Sequence, residues 1–416
     1  MKHFPIILLV ALVTFFCGES ALAGSREKEI SLKDLEEGSA LFQKINSVQL
    51  PEESYDDRAR ETIISGYAVV AYKYNDNGIN TRSGNETVFG QDTASTADFS
   101  FKVMEIGFTK RFSDHLWAAT SFEIAQENED GSLKTETALS IGEVHLIAPV
   151  GNGIDFTLGK FNSPVSFEQE DSPLLLQASQ SLAFQFASPA KMVGLGIRYP
   201  FMENLETRAI VFNGWNQDGD NNEGKSLALQ VSYGPTRWMD VKFSYLWGPE
   251  LADNESDNRQ VFDLVLTMTP ARDLIIAMEG AYGFDERQSA VNPGSDAEWF
   301  SGQATLHYDF TKMFGGTLRY SIFDDQDGRP DMQNIQRRTM HEVTLSPTVH
   351  LSPGLLGFLG YGVIPKTRHR LAGVDLRLEY RYDWINESDN NRFFEGTRNQ
   401  RKSTRSSFIA EIVVNF

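Results

Sequence analysis

Apolar and polar residues alternate along most of the chain, from about residue 62 to the C-terminus. In the segment 298–310, Phe300, Leu306 and Tyr308 share one face, whereas Ser301 and Thr305 lie on the other. A period of two is typical of a β-strand that has one apolar face. Because about sixteen segments of roughly ten residues show this period, the pattern predicts an all-β protein.

The connections between these predicted strands are alternately short and long. Short turns are predicted at 113–115, 149–153, 200–204, 235–238, 270–273 and 311–314, and long polar loops at 75–97, 127–137, 162–190, 216–224, 249–258, 286–296, 326–336 and 385–403. This asymmetry is typical of barrels in outer membranes, whose short turns are periplasmic. Strands also alternate in a soluble sandwich, but so many long strands are unusual for one soluble core.

We therefore predict a transmembrane antiparallel up-and-down β-barrel of about 16 strands over residues 61–416. Both ends of the barrel then lie on the periplasmic side, because the number of strands is even. The glycine-rich segment 352–371 is the weakest part of the count. We interpret it as an unusual connection, and an extra hairpin is the alternative.

The chain ends on an aromatic residue, and its last ten residues alternate. One face of this last strand carries Phe408, Ala410, Ile412, Val414 and Phe416. In a membrane barrel one face of each strand meets lipid, and the last strand pairs with the first so that no edge remains. Taken alone, the pattern also fits the terminal strand of a soluble sandwich. Within the whole chain it predicts the strand that closes the barrel.

The N-terminus has the features of a secretory signal peptide. Lys2 precedes an apolar run at 6–16, and the small residues Ala21 and Ala23 form a cleavage site, so we predict a leader at 1–23. The run is too short to span a bilayer as a helix. The chain has one cysteine, Cys17, inside this leader. We therefore expect neither a disulfide nor a thiolate metal site after cleavage.

Residues 24–60 differ from the barrel in pattern and are predicted to form a partly helical N-terminal arm. Ser31 and Asp34 have the spacing of a capping box, and Leu35, Phe42 and Ile45 form an apolar stripe. A plug helix, a periplasmic helix, a short oligomerising coil and a loosely ordered arm all fit this pattern.

The net charge of −19 excludes a nucleic-acid partner, because such proteins need a basic surface. Losing the leader leaves this charge unchanged, since Lys2 and Glu19 cancel. The seven histidines are scattered and none belongs to a metal-ligand pair, although His307 and Asp309 share a face. We therefore predict no cofactor, no metal and no enzymatic activity.

Charged residues on the strands should point into the lumen, because a charge at a lipid-facing position destabilises the barrel. The clearest set is a row of charged residues on one face of a predicted strand, which we call the ladder: Asp375, Arg377, Glu379, Arg381 and Asp383. Arg319, on a nearby predicted strand, can be added to it. Two interpretations remain open. Either the ladder forms mutually neutralising pairs that hold the wall rigid, or its arginines and Arg319 form the basic wall of a pore.

The loop at 162–190 carries three carboxylates, Glu168, Glu170 and Asp171. A loop of this length needs support, and folding into the barrel would supply it while narrowing a channel. Carboxylates facing an arginine wall would set up a field that selects solutes by charge. We predict that these three residues form a pore constriction, and an acidic surface loop is the alternative.

A resemblance to a known family rests on several short motifs. The passage 158–168, with Gly159, Lys160, Pro164 and Glu168, resembles a passage of outer-membrane porins of the OmpL-like β-barrel type. The opening strand at 66–67, the segment 189–198 and the L-E-Y-R-Y-D strand at 378–383 are similar too. The chain departs from the family at 165–167, where glycine is frequent before the glutamate.

The resemblance implies an outer-membrane protein of a Gram-negative-type bacterium, surrounded by lipid and lipopolysaccharide. It also implies a weakly selective diffusion channel and allows a homotrimer. It further implies that the barrel assembly machinery recognises an assembly signal formed by Phe408, Ile412, Val414 and Phe416.

Our leading functional prediction is a porin that lets small hydrophilic solutes or ions diffuse through a water-filled pore. The alternatives are a solute-selective binding channel and a structural or adhesion barrel that uses the N-terminal arm or the outer loops. The net charge favours cations, whereas Arg319, Arg377 and Arg381 favour anions.

Overall fold

The computed structural model describes residues 62–76, 78–79, 96–129, 132–329, 337–351, 373–386, 394–396 and 400–416. The predicted leader at 1–23, the predicted arm at 24–60 and the segment 352–371 lie outside these residues.

Sixteen antiparallel strands form a closed barrel, which confirms the predicted fold class. In chain order they are β1 (Thr62–Asn75), β2 (Thr96–Ser113), β3 (Leu116–Glu129), β4 (Ser132–Ala148), β5 (Ile154–Asn162), β6 (Lys191–Met202), β7 (Leu205–Phe212), β8 (Ser226–Thr236), β9 (Met239–Leu251), β10 (Asn254–Ala271), β11 (Leu274–Asp285), β12 (Ala297–Asp309), β13 (Phe314–Asp325), β14 (Arg338–Leu351), β15 (Gly373–Ile385) and β16 (Thr404–Asn415). Three short strands form a separate sheet: Gly78–Ile79, Phe394–Gly396 and Gln400–Lys402.

The last strand closes the barrel against the first. Strands β16 and β1 pair from Tyr67 opposite Asn415 to Asn75 opposite Ser407. Beyond this register, the backbone N–H groups of Gly66 and Phe416 each donate to the carbonyl of the other at 3.0 Å. Phe416 therefore takes part in closure itself, and the barrel has no free edge there.

Alternation separates two faces on every barrel strand, as on β15. Its charged residues are buried on the inner side, for example Glu379 at 1% exposure, whereas Leu378 and Tyr380 are about half exposed on the outer side. A charged inner face and an apolar outer face suit a barrel wall between water and lipid. Among the residues that the structure describes, no helix is long and apolar enough to cross a bilayer.

Two of the predicted long loops are wrong. Strands β3 and β4 pair as far as Glu129 opposite Ser132, and β9 and β10 meet at a tight turn after Leu251. Asp253 accommodates that turn with a positive φ of 57°. The outer parts of these hairpins are polar on both sides, so their sequences lack the apolar alternation on which the strand prediction rested.

The segment between β5 and β6 packs against an apolar cluster inside the barrel. It contains a 3₁₀ turn (Ser172–Leu174) and a short helix, α1 (Leu182–Ala187), whose N-cap Ser181 accepts a hydrogen bond from the Phe184 amide at 3.0 Å. Val165 and Leu182 are buried with inward residues of many strands, among them Trp299 and Phe323. The sequence analysis did not identify this cluster.

Gly66 provides a test of barrel closure. A Cβ atom at this position would lie 2.4 Å from the Glu105 carbonyl and 2.7 Å from the Phe416 ring. We expect Gly66→Ala to destabilise the folded barrel by about 1–3 kcal/mol, because the closing strand must shift. The folded fraction can be measured by heat modifiability on gels.

Gly280→Ala is the matched control, because the nearest atom to its added Cβ is 4.0 Å away. Its folded fraction should equal that of the wild type. Equal stability of the two variants would contradict a closure that depends on space at Gly66.

Candidate functional site

Arg319 on β13 lies at the centre of a buried ionic network. Its side chain has no solvent exposure and donates to Glu342 of β14 at 2.7 Å and to Glu168 at 2.8 Å. It also donates to the Ser179 carbonyl at 2.7 Å. A buried guanidinium needs such partners, since removing it from water is costly. Arg319 thus connects the barrel wall to the segment 163–190.

The ladder on β15 pairs partly within the wall and partly with the same segment. Arg381 contacts Asp383 at 2.8 Å and Glu342 at 3.2 Å, and it donates to the Gln180 carbonyl at 2.7 Å. Its side chain is therefore held from both the wall and the loop.

Arg377 has the same double role, because it contacts Glu411 of β16 at 3.1 Å and donates to the Ser172 carbonyl at 2.9 Å. At the short-turn end of the ladder, Asp375 contacts His350 at 2.8 Å. Every ladder residue is at most 9% exposed.

Three wall carboxylates accept hydrogen bonds from backbone amides of the segment 163–190. Glu379 accepts from Ala178 and Ser179 at 2.9 and 3.0 Å. Glu342 accepts from Leu182 at 3.2 Å, and Glu279 of β11 accepts from Phe167 at 3.1 Å. Hydrogen bonds to a carboxylate are stronger than neutral ones, so these contacts hold the segment against β11, β14 and β15. Parity places these residues inward, but the sequence gives no signal for partners that are more than 100 residues away.

The three acidic residues of the predicted constriction do not lie together. Glu168 is 3% exposed and bonds Arg319, the Gln177 side chain at 2.6 Å and the Ser181 amide at 2.7 Å. Glu170 instead contacts Lys191 of β6 at 2.7 Å, and its side chain is 25% exposed. The Asn162 side chain donates to Asp171 at 3.1 Å.

Burial and the nearby carboxylates of Glu105 and Glu170 raise the pKa of Asp171 to about 7, against the opposing effects of Lys191 and Asn162. Below this pH the Asp171 side chain is mainly neutral, and above it the side chain is mainly charged.

An acidic cluster surrounds Lys191. Lys191 donates to Ser140 at 2.7 Å, and Ser140 donates to Glu105 of β2 at 3.2 Å. Among the described residues, the carboxylates of this acidic cluster are Glu105, Glu123, Glu170 and Asp171. Two other lysines in this region contact carboxylates outside the cluster. Lys102 contacts Glu411, which also pairs with Arg377, at 3.4 Å, and Lys160 contacts Asp218 at 2.7 Å. The acidic cluster therefore has more carboxylates than cations.

The residues predicted as an assembly signal lie on the closing strand. Phe408, Ile412 and Phe416 are 39–43% exposed on the outer face, and Val414 is half-buried. Within the described ranges, no group of three or more His, Cys, Asp or Glu side chains is arranged to hold a metal ion.

A family model matches the whole described barrel. The family described as "Putative beta-barrel porin-2, OmpL-like" matches residues 62–416. No curated protein matches the sequence.

Solved structures with the same fold include several channels. The outer membrane channel DcaP of Acinetobacter baumannii is 11% identical with a TM-score of 0.57, and the match covers 87% of this chain and 99% of that one. An anion-selective porin from Comamonas acidovorans is 12% identical with a TM-score of 0.55, covering 86% and 100%. The trimer form of OmpT, an outer membrane protein of Vibrio cholerae, is 9% identical with a TM-score of 0.52, covering 85% and 99%. At these identities the likeness shows the fold.

The network around Arg319 makes a stability prediction. Arg319→Met leaves Glu168 and Glu342 buried without this cation, and we expect a loss of about 3–5 kcal/mol in unfolding free energy. Adding Glu168→Gln and Glu342→Gln should recover part of the loss, because no uncompensated charge then remains. Denaturant unfolding of the purified barrel measures both effects.

The control is Arg198→Met, because Arg198 is 39% exposed and its pair with Glu206 should contribute less than about 1 kcal/mol. If Arg319→Met and Arg198→Met cost the same, the Arg319 network does not stabilise the barrel.

Proposed function

This chain belongs to the OmpL-like β-barrel porin family and is an outer-membrane porin, and from that premise we propose that small hydrophilic solutes diffuse through it with a preference for cations. The family and the structural neighbours indicate a channel rather than an enzyme. The solute class and the charge preference are our proposal, and the arrangement of charges inside the barrel supports it.

The segment 163–190 is the fixed narrowing of this channel in our proposal. Its amides and carbonyls bond Glu279, Glu342, Glu379 and Arg381 of the inner wall, and its apolar residues pack on the cluster around Trp299. A loop held by so many buried contacts keeps one position while solutes pass. In this account Arg319, Arg377 and Arg381 anchor the loop, and Glu168 is their counterion rather than a charge that meets the solute.

The single observation that carries the cation preference is the acidic cluster around Lys191. Glu123 and Glu170 are each 25% exposed, so water and ions reach them. An inner wall with an excess of negative charge raises the local concentration of cations. In our proposal Glu170 and Asp171 have the selecting role that the sequence analysis predicted for all three acids, and Glu168 does not.

The paired state of the arginines also supports this preference. The fold alone does not set the charge preference, since one structural neighbour, from Comamonas acidovorans, is anion-selective. In this chain Arg319, Arg377 and Arg381 each contact at least one buried carboxylate within 3.3 Å. Their charge is therefore neutralised locally and attracts anions less than a free arginine would.

We also propose a homotrimer, because OmpT, which shares this fold, has a trimer form. Outer-membrane lipid, lipopolysaccharide and the barrel assembly machinery complete the proposed partners.

Replacing two acids of the acidic cluster should change ion selectivity. We expect Glu170→Gln with Asp171→Asn to move the reversal potential in a salt gradient towards zero or the anion side, because the acidic cluster loses two negative charges. Planar-bilayer recordings measure this shift at a slightly alkaline pH, at which the Asp171 side chain is mainly charged. Glu203→Gln, in an exposed turn between β6 and β7, is the control and should leave the potential unchanged.

The pH dependence provides a second readout of the same prediction. Because the pKa of Asp171 is raised to about 7, cation preference in the wild type should increase as the pH rises through that value. Asp171→Asn should remove this step. An unchanged reversal potential in the double variant, at every pH, would refute the selective role of the acidic cluster.

A further inference from the structure

The outer face of strands β6–β10 contains an apolar groove of about 750 Å³. Its floor is formed by the small side chains of Thr207 and Ala209 on β7. Larger side chains rise on both sides, including Tyr199 on β6 and Val231, Phe243 and Phe262 on β8, β9 and β10. We name it the β7 groove. It is a depression in a wall that elsewhere presents large apolar side chains.

The pairing register places the β7 groove on the lipid side of the barrel. Thr207 pairs with Tyr199 and Val231, and Val231 pairs with Phe243. The intervening residues face inward, since Gln230 donates to the Pro164 carbonyl inside the barrel and Arg208 pairs with Gln230. Floor and sides of the groove therefore contact the membrane.

The position of the groove along the strands fits the periplasmic half of the membrane. Val231 lies six residues before Arg237, which is exposed in the short turn between β8 and β9. Six residues span about 20 Å along a strand, or about 14 Å of depth at a tilt of about 45°. The hydrocarbon core is about 30 Å thick, so the groove lies between its middle and its periplasmic surface.

We propose that the β7 groove binds one acyl chain of a phospholipid from the periplasmic leaflet, with Arg237 contacting the phosphate. If the space beside Thr207 and Ala209 were empty, the side chains that line it would lack dispersion contacts, and a flexible acyl chain supplies them. Arg237 is exposed in the turn at the periplasmic end of β8, a strand that lines the groove, and this turn is at the membrane surface, at the level of the lipid phosphates. Exposed Phe201 and Trp238 at the same end mark that surface, as interfacial aromatic residues do.

Native mass spectrometry of the purified full-length barrel tests this proposal. The protein is incubated with palmitoyl-oleoyl phosphatidylethanolamine, washed with detergent, and the lipid retained per chain is counted. The test variant Thr207→Leu with Ala209→Phe fills the groove. Val211→Phe, two residues further along the same outer face and 48% exposed, is the matched control.

We expect the wild type and Val211→Phe to retain one phospholipid per chain, and the filled variant to retain roughly tenfold less. Arg237→Gln leaves the groove intact and should also lower retention, which keeps the test valid if the filled variant folds poorly. Equal retention by the wild type and both test variants would overturn the proposal. So would retention of lipopolysaccharide alone, or a loss of oligomers rather than of lipid on filling, since the occupant would then be another molecule.

Discussion

The pairing of buried arginines with buried carboxylates is the constraint on which the inside of this barrel depends. Arg319 has no solvent exposure and is held between Glu342 of the wall and Glu168 of the segment 163–190. A buried charge without a partner would be strongly destabilising. The position of the segment is therefore tied to the charges of the wall, and neither can change without leaving a charge unpaired.

Two groups of charged residues lie inside the barrel. The first group, around Arg319 and Arg381, is buried and pairs each arginine with at least one carboxylate, and it also bonds the loop. The second group, around Lys191, is partly exposed and has more carboxylates than cations. In our proposal the buried pairs hold the loop in place, and the acids around Lys191 select the ions that pass it.

The sequence predicted the barrel because period-two alternation depends only on the faces of each strand. It also placed Glu342, Glu379 and Arg319 on the inner side by parity. The sequence could not predict that Glu168 and Glu170, which are two residues apart, have different partners. Glu168 bonds Arg319 on β13, and Glu170 contacts Lys191 on β6. This difference depends on contacts such as Glu168 with Arg319, which are 151 residues apart. The apolar cluster around Trp299 was missed because an inward apolar face looks like a lipid-facing one.

The segment 163–190 contacts the inner wall of the barrel, and we propose that it keeps this position while the channel conducts. The direct test is a disulfide between Ala183→Cys and Ser321→Cys, since the Ala183 amide donates to the Ser321 hydroxyl at 3.1 Å and the only other cysteine is Cys17. The measurement is single-channel conductance before and after reduction of this bond. We predict equal conductance in both states, because the bond fixes a loop that does not move. A clear rise in conductance on reduction would contradict the account.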